Sequence, residues 1–144
     1  MITSRLVFTS ERLRMAPLTD RLALRLGAIF ALFAIILGAL AAHKGDRFLY
    51  DYLQSRNRLD LWRTALTYQW FHALALLAIG QGRSARRGTV ICWLIGTILF
   101  SGSLYILALD PTQKWAGPLT PLGGLILILG WGWLWLHLTR RKAP

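Results

Sequence analysis

A histidine in the middle of an apolar run is the residue of this chain best placed to do chemistry. The stretch "TYQWFHALALL" occupies positions 67–77 and carries Tyr68, Gln69 and His72. Tyr68 and His72 are four residues apart, so they share one face of a helix, with Gln69 beside them. An imidazole in such a helix can carry a proton, bind a metal, or hydrogen-bond to neighbouring helices. A second histidine, His43, follows an earlier apolar run.

Composition places these side chains in a membrane protein. Of the 144 residues, 55% are hydrophobic and 16% are charged, and the mean hydropathy is +0.45. Soluble domains carry about 25% charged residues. The net charge of +11 comes from bases clustered between apolar runs. This placement favours contact with anionic lipid over a nucleic-acid-binding face. We therefore predict no nucleic-acid partner.

Four segments are long and apolar enough to cross about 30 Å of hydrocarbon as helices. They are residues 22–42, 61–80, 88–109 and 117–138, and the second is the most polar. The connection after the first has its apolar side chains on one helical face, which predicts a short amphipathic helix at the membrane surface. That face comprises Phe48, Leu49, Tyr52 and Leu53. The predicted fold is all-α: a transmembrane four-helix bundle with this interfacial helix between spans 1 and 2.

The distribution of Lys and Arg predicts the orientation. With four spans, eleven of these residues lie on the side of both termini and six on the other. The positive-inside rule then places both termini in the cytoplasm, in a bacterial inner membrane. A mitochondrial inner membrane with matrix-facing termini is the alternative. Residues 1–21 and 140–144 are basic tails. The bases expected to contact anionic lipids are Arg83, Arg86, Arg87, Arg140 and Arg141.

Small and polar residues indicate how the spans associate, because helices in lipid need close backbone approach and hydrogen bonds to hold together. The small residues predicted to pack are Ala34, Gly38, Ala42, Gly96, Gly102, Gly123 and Gly124. Polar residues of all four spans fall in one half of the bilayer. This intramembrane polar cluster comprises His43, Tyr68, Gln69, His72, Ser101, Ser103, Tyr105 and Thr120. Tryptophans toward the span ends are expected to be interfacial anchors; they are Trp62, Trp115, Trp131, Trp133 and Trp135.

The polar cluster has two interpretations. It is either a hydrogen-bonded network that fixes the helices, or a small binding site in which His43 and His72 serve a haem, a quinone or a lipid. Two imidazoles are too few for a closed zinc site, so we predict no metal ligands and no resident cofactor. The sequence has no nucleophile with a base and an orienting partner, no carboxylate pair within a span and no phosphate loop. We therefore predict that the protein is not an enzyme.

Four motifs occur in order along the chain: "LGALAAHKG", "LWRTALTYQWFHALALL", "LFSGSLYILAL" and "GPLTPLGGLILILGW". In these motifs the sequence resembles the YgdD/YwdK-like small inner-membrane proteins, a family of unknown function with eukaryotic mitochondrial relatives. The resemblance implies a four-span membrane protein. The family usually has a histidine where this chain has Gln69, so a mechanism that needs that second imidazole is in doubt. The first fourteen residues lie outside the resemblance, and we predict that they are disordered or that translation starts at Met15.

Three functions are compatible with these features. The first is an accessory or structural subunit of a larger membrane complex, or a homo-oligomer, favoured by the small size and the packing residues. The second is a ligand-binding or cofactor-binding module that uses His43 and His72. The third is an oligomeric transporter or channel, because four spans without an inverted repeat make a poor transporter as a monomer.

Overall fold

The computed structural model describes residues 17–42, 48–82 and 85–140, and the regular structure in these ranges is entirely helical. The all-α prediction is confirmed. The helices are α1 (Leu18–Leu40), α2 (Phe48–Ser55), α3 (Leu59–Gln81), α4 (Arg87–Leu109) and α5 (Leu119–Arg140). A 3₁₀ turn, Lys114–Ala116, leads into α5. The prediction for residues 1–14 falls outside the described residues, as do His43, Arg83 and Arg141.

The four long helices differ in how apolar they are. Among the described residues, three helical segments are long and apolar enough to cross a membrane: Leu18–Leu40, Arg87–Leu109 and Lys114–Arg140. Helix α3 has the same 23-residue length as α1, but it carries Asp60, Arg63 and the polar residues around His72. Helix α3 corresponds to the predicted second span, but its own composition is not apolar enough for it to count among these membrane-spanning segments.

Helices α1 and α3 run antiparallel with their backbones close together. A Cβ placed on Gly27 of α1 would lie 2.8 Å from the carbonyl oxygen of Ala73. A Cβ placed on Gly80 of α3 would lie 3.0 Å from the carbonyl oxygen of Asp20. Contacts this short leave no room for a side chain, so glycine at these two positions permits the close approach.

Helices α4 and α5 also pack through glycine. A Cβ on Gly96 would lie 2.6 Å from the Leu127 side chain and 3.0 Å from its backbone nitrogen. A Cβ on Gly123 would meet the backbone of Phe100, and one on Gly130 would lie 2.5 Å from the Trp93 ring. All three glycines lie in long apolar helices, where close backbone approach is the main source of helix association.

The four long helices form a row in the order α1, α3, α4, α5, and one buried apolar cluster takes side chains from all four. Helix α3 lies between α1 and α4, α4 lies between α3 and α5, and α1 touches α4 slightly. The outer helices expose large apolar side chains, among them Leu32 and Ile36 of α1 and Ile128 and Leu129 of α5. Lipid does not penalise such exposure as water does, so these side chains are compatible with a membrane-embedded fold.

Helix α2 packs across one end of this row. Leu53 of α2 is fully buried in an apolar cluster with Ala41, which follows α1, Trp62 of α3 and Ala108 of α4. The Tyr52 hydroxyl donates to the carbonyl oxygen of Leu109 at 2.7 Å, satisfying a carbonyl that the end of α4 leaves open. Leu49, Tyr52 and Leu53 of the predicted apolar face therefore pack on the ends of three helices.

Candidate functional site

Gln69 connects three helices through one side chain. It is 7% exposed, and its Nε2 donates to the Phe30 carbonyl of α1 at 3.0 Å. Its Oε1 accepts from the Tyr105 hydroxyl of α4 at 2.9 Å. Two helical turns nearer α2, Trp62 Nε1 donates to the Leu37 carbonyl at 3.2 Å. Side chains of α3 therefore provide hydrogen bonds that hold it between its neighbours.

His72 is hydrogen-bonded through both ring nitrogens. Its Nδ1 lies 2.9 Å from the Tyr68 carbonyl oxygen, and the Trp131 indole Nε1 of α5 lies 3.2 Å from its Nε2. An indole N–H can only donate, so Nε2 is the acceptor and Nδ1 carries the proton that it donates to Tyr68. A metal or haem at Nε2 would have to displace Trp131.

The surroundings of His72 are aromatic. Its ring centroid lies 5.3 Å from that of Phe71 and 5.9 Å from that of Trp93. The rings of Trp93 and Trp131 are 4.5 Å apart, and Trp93 is completely buried. This packing encloses the imidazole in an apolar setting, where hydrogen bonds to both nitrogens compensate its removal from water.

A hydroxyl pair joins α4 to α5. Ser103 Oγ and Thr120 Oγ1 are 2.7 Å apart. Ser103 Oγ also lies 3.0 Å from the Phe100 carbonyl, which can only accept a hydrogen bond. The Ser103 proton therefore goes to Phe100, and the Thr120 hydroxyl donates to Ser103.

The predicted polar cluster divides into three separate hydrogen-bonded sets. They are Gln69 with Tyr105, His72 with Trp131, and Ser103 with Thr120. Tyr68 contributes its carbonyl, while its ring is 42% exposed and packs on Phe100 with centroids 4.3 Å apart. Ser101 is buried without a hydrogen-bond partner. His43, the other histidine of the predicted cluster, lies outside the described residues.

The predicted packing residues behave differently from one another. Gly96 and Gly123 lie at the close contacts between α4 and α5, and Ala34 is completely buried. Gly38 and Gly124 have room for a Cβ, Gly102 has no heavy atom within 4 Å of one, and Ala42 is exposed. Gly130, one of four glycines in the fourth predicted span, also makes a close contact, as do Gly27 and Gly80, which the sequence analysis does not name.

Two tryptophans predicted as interfacial anchors act inside the fold. Trp62 is 3% exposed and donates to Leu37, so the anchor prediction is wrong for this residue. Trp131 is 38% exposed, but its indole N–H points to His72. Trp115, Trp133 and Trp135 are 58–64% exposed, as anchors would be. A span-end tryptophan can reach a polar group one turn deeper, which composition alone does not reveal.

The end of the row opposite α2 is basic. Asp20 is 1% exposed, and its Oδ1 accepts from the Ala85 backbone N–H at 3.1 Å. Arg86 Nε donates to His137 Nε2 at 2.9 Å, which ties the start of α4 to the end of α5. Arg86, Arg87 and Arg140 are exposed at this end. In the described part of the chain, no group of three His, Cys, Asp or Glu side chains could hold a metal ion.

Asp110 organises the turn between α4 and α5. Its Oδ1 accepts from the Thr112 hydroxyl at 2.7 Å and from the Thr112 backbone N–H at 3.0 Å. Its Oδ2 accepts from Gln113 Nε2 at 2.8 Å. These hydrogen bonds, first that of the Thr112 hydroxyl, hold the pKa of the Asp110 carboxyl below its ordinary value. The carboxylate is therefore ionised at neutral pH.

Long apolar helices that surround a more polar helix and hydrogen-bond to its Gln69 and His72 define a small integral membrane protein. The chain belongs to the DUF423 family, a family of proteins of unknown function. The family model matches residues 37–124. The resemblance to the YgdD/YwdK-like family is confirmed. No solved structure matches this chain.

Relatives come from bacteria and from a yeast. A UPF0382 membrane protein of Staphylococcus saprophyticus is 42% identical over 110 residues, covering 74% of this chain and 87% of the relative. The UPF0382 membrane protein YwdK of Bacillus subtilis is 40% identical over 112 residues, covering 74% and 86%. A UPF0382 membrane protein of Schizosaccharomyces pombe is 37% identical over 112 residues, covering 72% and 90%.

Proposed function

We propose that this chain is a four-span membrane protein, with α3 as the remaining span, and that it is an accessory or structural component of a larger membrane assembly. The observation that carries the proposal is the internal pairing of the polar groups of α3. Gln69 bonds to α1 and α4, and His72 bonds to α5. A helix too polar to enter lipid alone is stable there when neighbouring helices satisfy it.

The remaining polar groups of α3 support the same topology. Thr64 and Thr67 donate to the carbonyl oxygens one turn back, Asp60 and Arg63, at 2.8 and 2.9 Å. A 23-residue helix is about 35 Å long, enough to cross the hydrocarbon core. With α3 as a span, both termini and the basic end lie on one side. The positive-inside rule makes that side cytoplasmic, where Arg86, Arg87 and Arg140 meet anionic lipids.

The accessory role is supported by the exposed apolar faces of the outer helices. The imidazole of His72 is already bonded at both nitrogens, while the outer helices α1 and α5 each have one extensive helix neighbour. Their outer faces are apolar and sit where another transmembrane helix can pack. The proposal assigns the chain a binding role at these faces and no catalytic reaction.

Site-specific photo-crosslinking in native membranes tests the accessory role. A photoreactive residue is placed at Leu32 of α1 or Ile128 of α5, which are 57% and 67% exposed. The matched control position is Leu76, which is fully buried. We expect a protein adduct of defined mass from Leu32 or Ile128 and none from Leu76. Lipid adducts alone at both outer positions, together with a lone monomer in mild detergent, would contradict the accessory role.

A further inference from the structure

Two hollows adjoin at the basic end of the row. The first has a volume of about 520 Å³ and lies between the start of α1, the start of α4 and Trp133 of α5; Arg86 and Arg87 line it. The second has a volume of about 290 Å³ and is lined by the last two turns of α5, from Trp133 to Arg140. Because Trp133 lines both hollows, they meet at its side chain.

The ends of α4 and α5 place these hollows at the membrane surface. A Cβ on Gly88, at the start of α4, would lie 3.0 Å from the Trp133 ring. Helix α5 continues from Trp133 to Arg140, about 10 Å further along its axis. The last two turns of α5 therefore extend beyond the start of α4. Trp133 is 59% exposed, as is usual for a tryptophan at the level of the lipid headgroups.

Arg86 is held in position with most of its donors available. Its Nε donates to His137 Nε2 at 2.9 Å, which connects the residue before α4 to the end of α5. A guanidinium has five N–H donors, so the four on the two Nη atoms remain for another acceptor. An arginine that is already oriented in this way can donate two parallel hydrogen bonds to a phosphate group.

The exposed arginines of this end are not neutralised by the described part of the chain. They are Arg86, Arg87 and Arg140. Among the described residues, the ion pair is at the opposite end of the row, between Asp60 and Arg63. Asp20 lines the first hollow, but it is only 1% exposed. Neighbouring guanidinium groups repel one another, and a bound anion relieves that repulsion. Basic pockets between transmembrane helices on the cytoplasmic side are typical binding sites for lipid headgroups that carry several phosphates.

We propose that the two hollows together bind one lipid whose headgroup carries two phosphates joined by glycerol, as in cardiolipin. One phosphate accepts hydrogen bonds from Arg86 and Arg87 in the first hollow, and the other lies beside Arg140 in the second. The acyl chains run into the bilayer along Trp133. This inference rests on the proposed contact between the basic end and anionic lipids, and it deepens that contact by naming the lipid and its site.

Native mass spectrometry of the full chain in mild detergent tests the inference. Cardiolipin is titrated against phosphatidylglycerol at the same phosphate concentration, with phosphatidylcholine as the uncharged reference. We expect one cardiolipin per chain, bound about fivefold more tightly than phosphatidylglycerol, because the second phosphate gains one more arginine. Free pyrophosphate at the same phosphate concentration should not displace cardiolipin, since it has no acyl chains to hold it at the membrane surface.

Two single variants separate the two phosphates. Arg140→Gln removes the base of the second hollow, so it should abolish the preference for cardiolipin over phosphatidylglycerol. Arg87→Gln removes a base of the first hollow, so it should weaken both lipids by the same factor of about five. A general loss of charge or of folding would not produce this difference between the variants.

A matched pair of double variants controls for net charge. Arg87→Gln with Arg140→Gln should weaken cardiolipin binding about 25-fold. Arg56→Gln with Arg63→Gln removes the same charge from exposed positions at the opposite end, and it should leave the affinity unchanged. Helical content and elution volume should match the unsubstituted protein in both double variants.

Four results would overturn the inference, and they differ in what else they overturn. Equal affinity for cardiolipin and phosphatidylglycerol, or equal losses in the two double variants, would leave only general attraction to anionic lipid. Displacement by pyrophosphate would show an anion site that does not recognise lipid. Equal binding of all three lipids would also remove the proposed lipid contact. The accessory role is tested separately, by cross-linking at Leu32 and Ile128.

Discussion

The α1–α3 and α4–α5 interfaces hold helices together by different means. At α1–α3, side chains of α3 donate to main-chain oxygens of α1: Gln69 to Phe30 and Trp62 to Leu37. At α4–α5, three glycines bring the backbones together, and one hydroxyl pair, Ser103 with Thr120, crosses the interface. Glycines bring the backbones close at both interfaces, Gly27 and Gly80 doing so at α1–α3, but α1–α3 adds side-chain hydrogen bonds to the main chain of the neighbouring helix.

The difference follows from the number of polar side chains that each helix carries within the membrane. Helix α3 carries polar side chains that must be paired, so pairing also positions it. Helices α4 and α5 have few polar groups, and apolar contact in lipid does not drive association, so they need close backbone approach. We therefore expect substitutions to be most severe where a glycine meets backbone at α4–α5, and milder where one hydrogen bond is lost at α3.

The largest effect is expected from Gly123→Ala. The new Cβ would meet the Phe100 backbone, which cannot move aside as a side chain can. Overpacking of this kind costs about 1–3 kcal/mol. The free energy of unfolding in a mixed-detergent titration should fall by that amount. Gly132→Ala in the same helix has open space and should change little; equal losses in the two variants would contradict the glycine interface.

A smaller effect is expected from Gln69→Leu. The substitution removes bonds to Phe30 and Tyr105 and leaves the Tyr105 hydroxyl unpaired inside the protein. Interhelical hydrogen bonds in membranes contribute about 0.6 kcal/mol on average and up to about 1.7. The same titration should show a loss of about 1–2 kcal/mol.

A double-substitution cycle isolates the bond between Gln69 and Tyr105. Tyr105→Phe alone should cost about 0.6 kcal/mol, and it should cost less in the Gln69→Leu background. Tyr68→Phe is the control, since the Tyr68 ring is 42% exposed. Strictly additive losses would show that the Gln69–Tyr105 bond contributes nothing.

Trp131→Phe should lower the stability modestly and should clearly change the chemical shift of His72 Nε2. It removes the indole N–H that Nε2 accepts, at a cost of about 0.6 kcal/mol. Nitrogen NMR should show His72 with its proton on Nδ1 in the unsubstituted protein and a changed Nε2 shift in the variant. Trp133→Phe, at an exposed position, is the control. A proton on Nε2 in the unsubstituted protein would contradict the Trp131 bond.

The smallest expected effect on stability is at the Asp110 turn between α4 and α5. Its folded-state pKa is depressed below the ordinary value of 3.8 by hydrogen bonds from Thr112 and Gln113. The carboxylate therefore stabilises the turn above that value, and the contribution is lost as pH falls through the lower folded-state pKa. An NMR titration of Asp110 should give a midpoint below 3.8 that returns toward it in Thr112→Val. A midpoint at or above 3.8 would contradict this hydrogen bonding.

Hydropathy predicted the helices because it sums a signal over about 20 residues. The cost of exposing polar groups to lipid predicted that polar side chains of α3 lie between the helices. The hydrogen-bond acceptors of Gln69 and Trp62 were not predictable from the sequence. Both side chains donate to backbone carbonyl oxygens, and because every residue has one, the sequence does not single out an acceptor. Gly27 and Gly80 were not predicted as close contacts, because small residues are frequent in these helices and only some of them face a neighbouring helix. The order of helix packing was also not predictable, because the outer faces of α1 and α5 have the same apolar composition whether lipid or a helix covers them.

The central claim, that α3 crosses the membrane between α1 and α4, is tested most directly by cysteine accessibility. Cys92, the single cysteine, is replaced by Ser, and Gln54→Cys or Gln81→Cys is introduced before or at the end of α3. A membrane-impermeant maleimide should label Gln54→Cys in intact cells and Gln81→Cys after permeabilisation only. Labelling of both positions from the same side would place both ends of α3 on one face of the membrane and contradict the account.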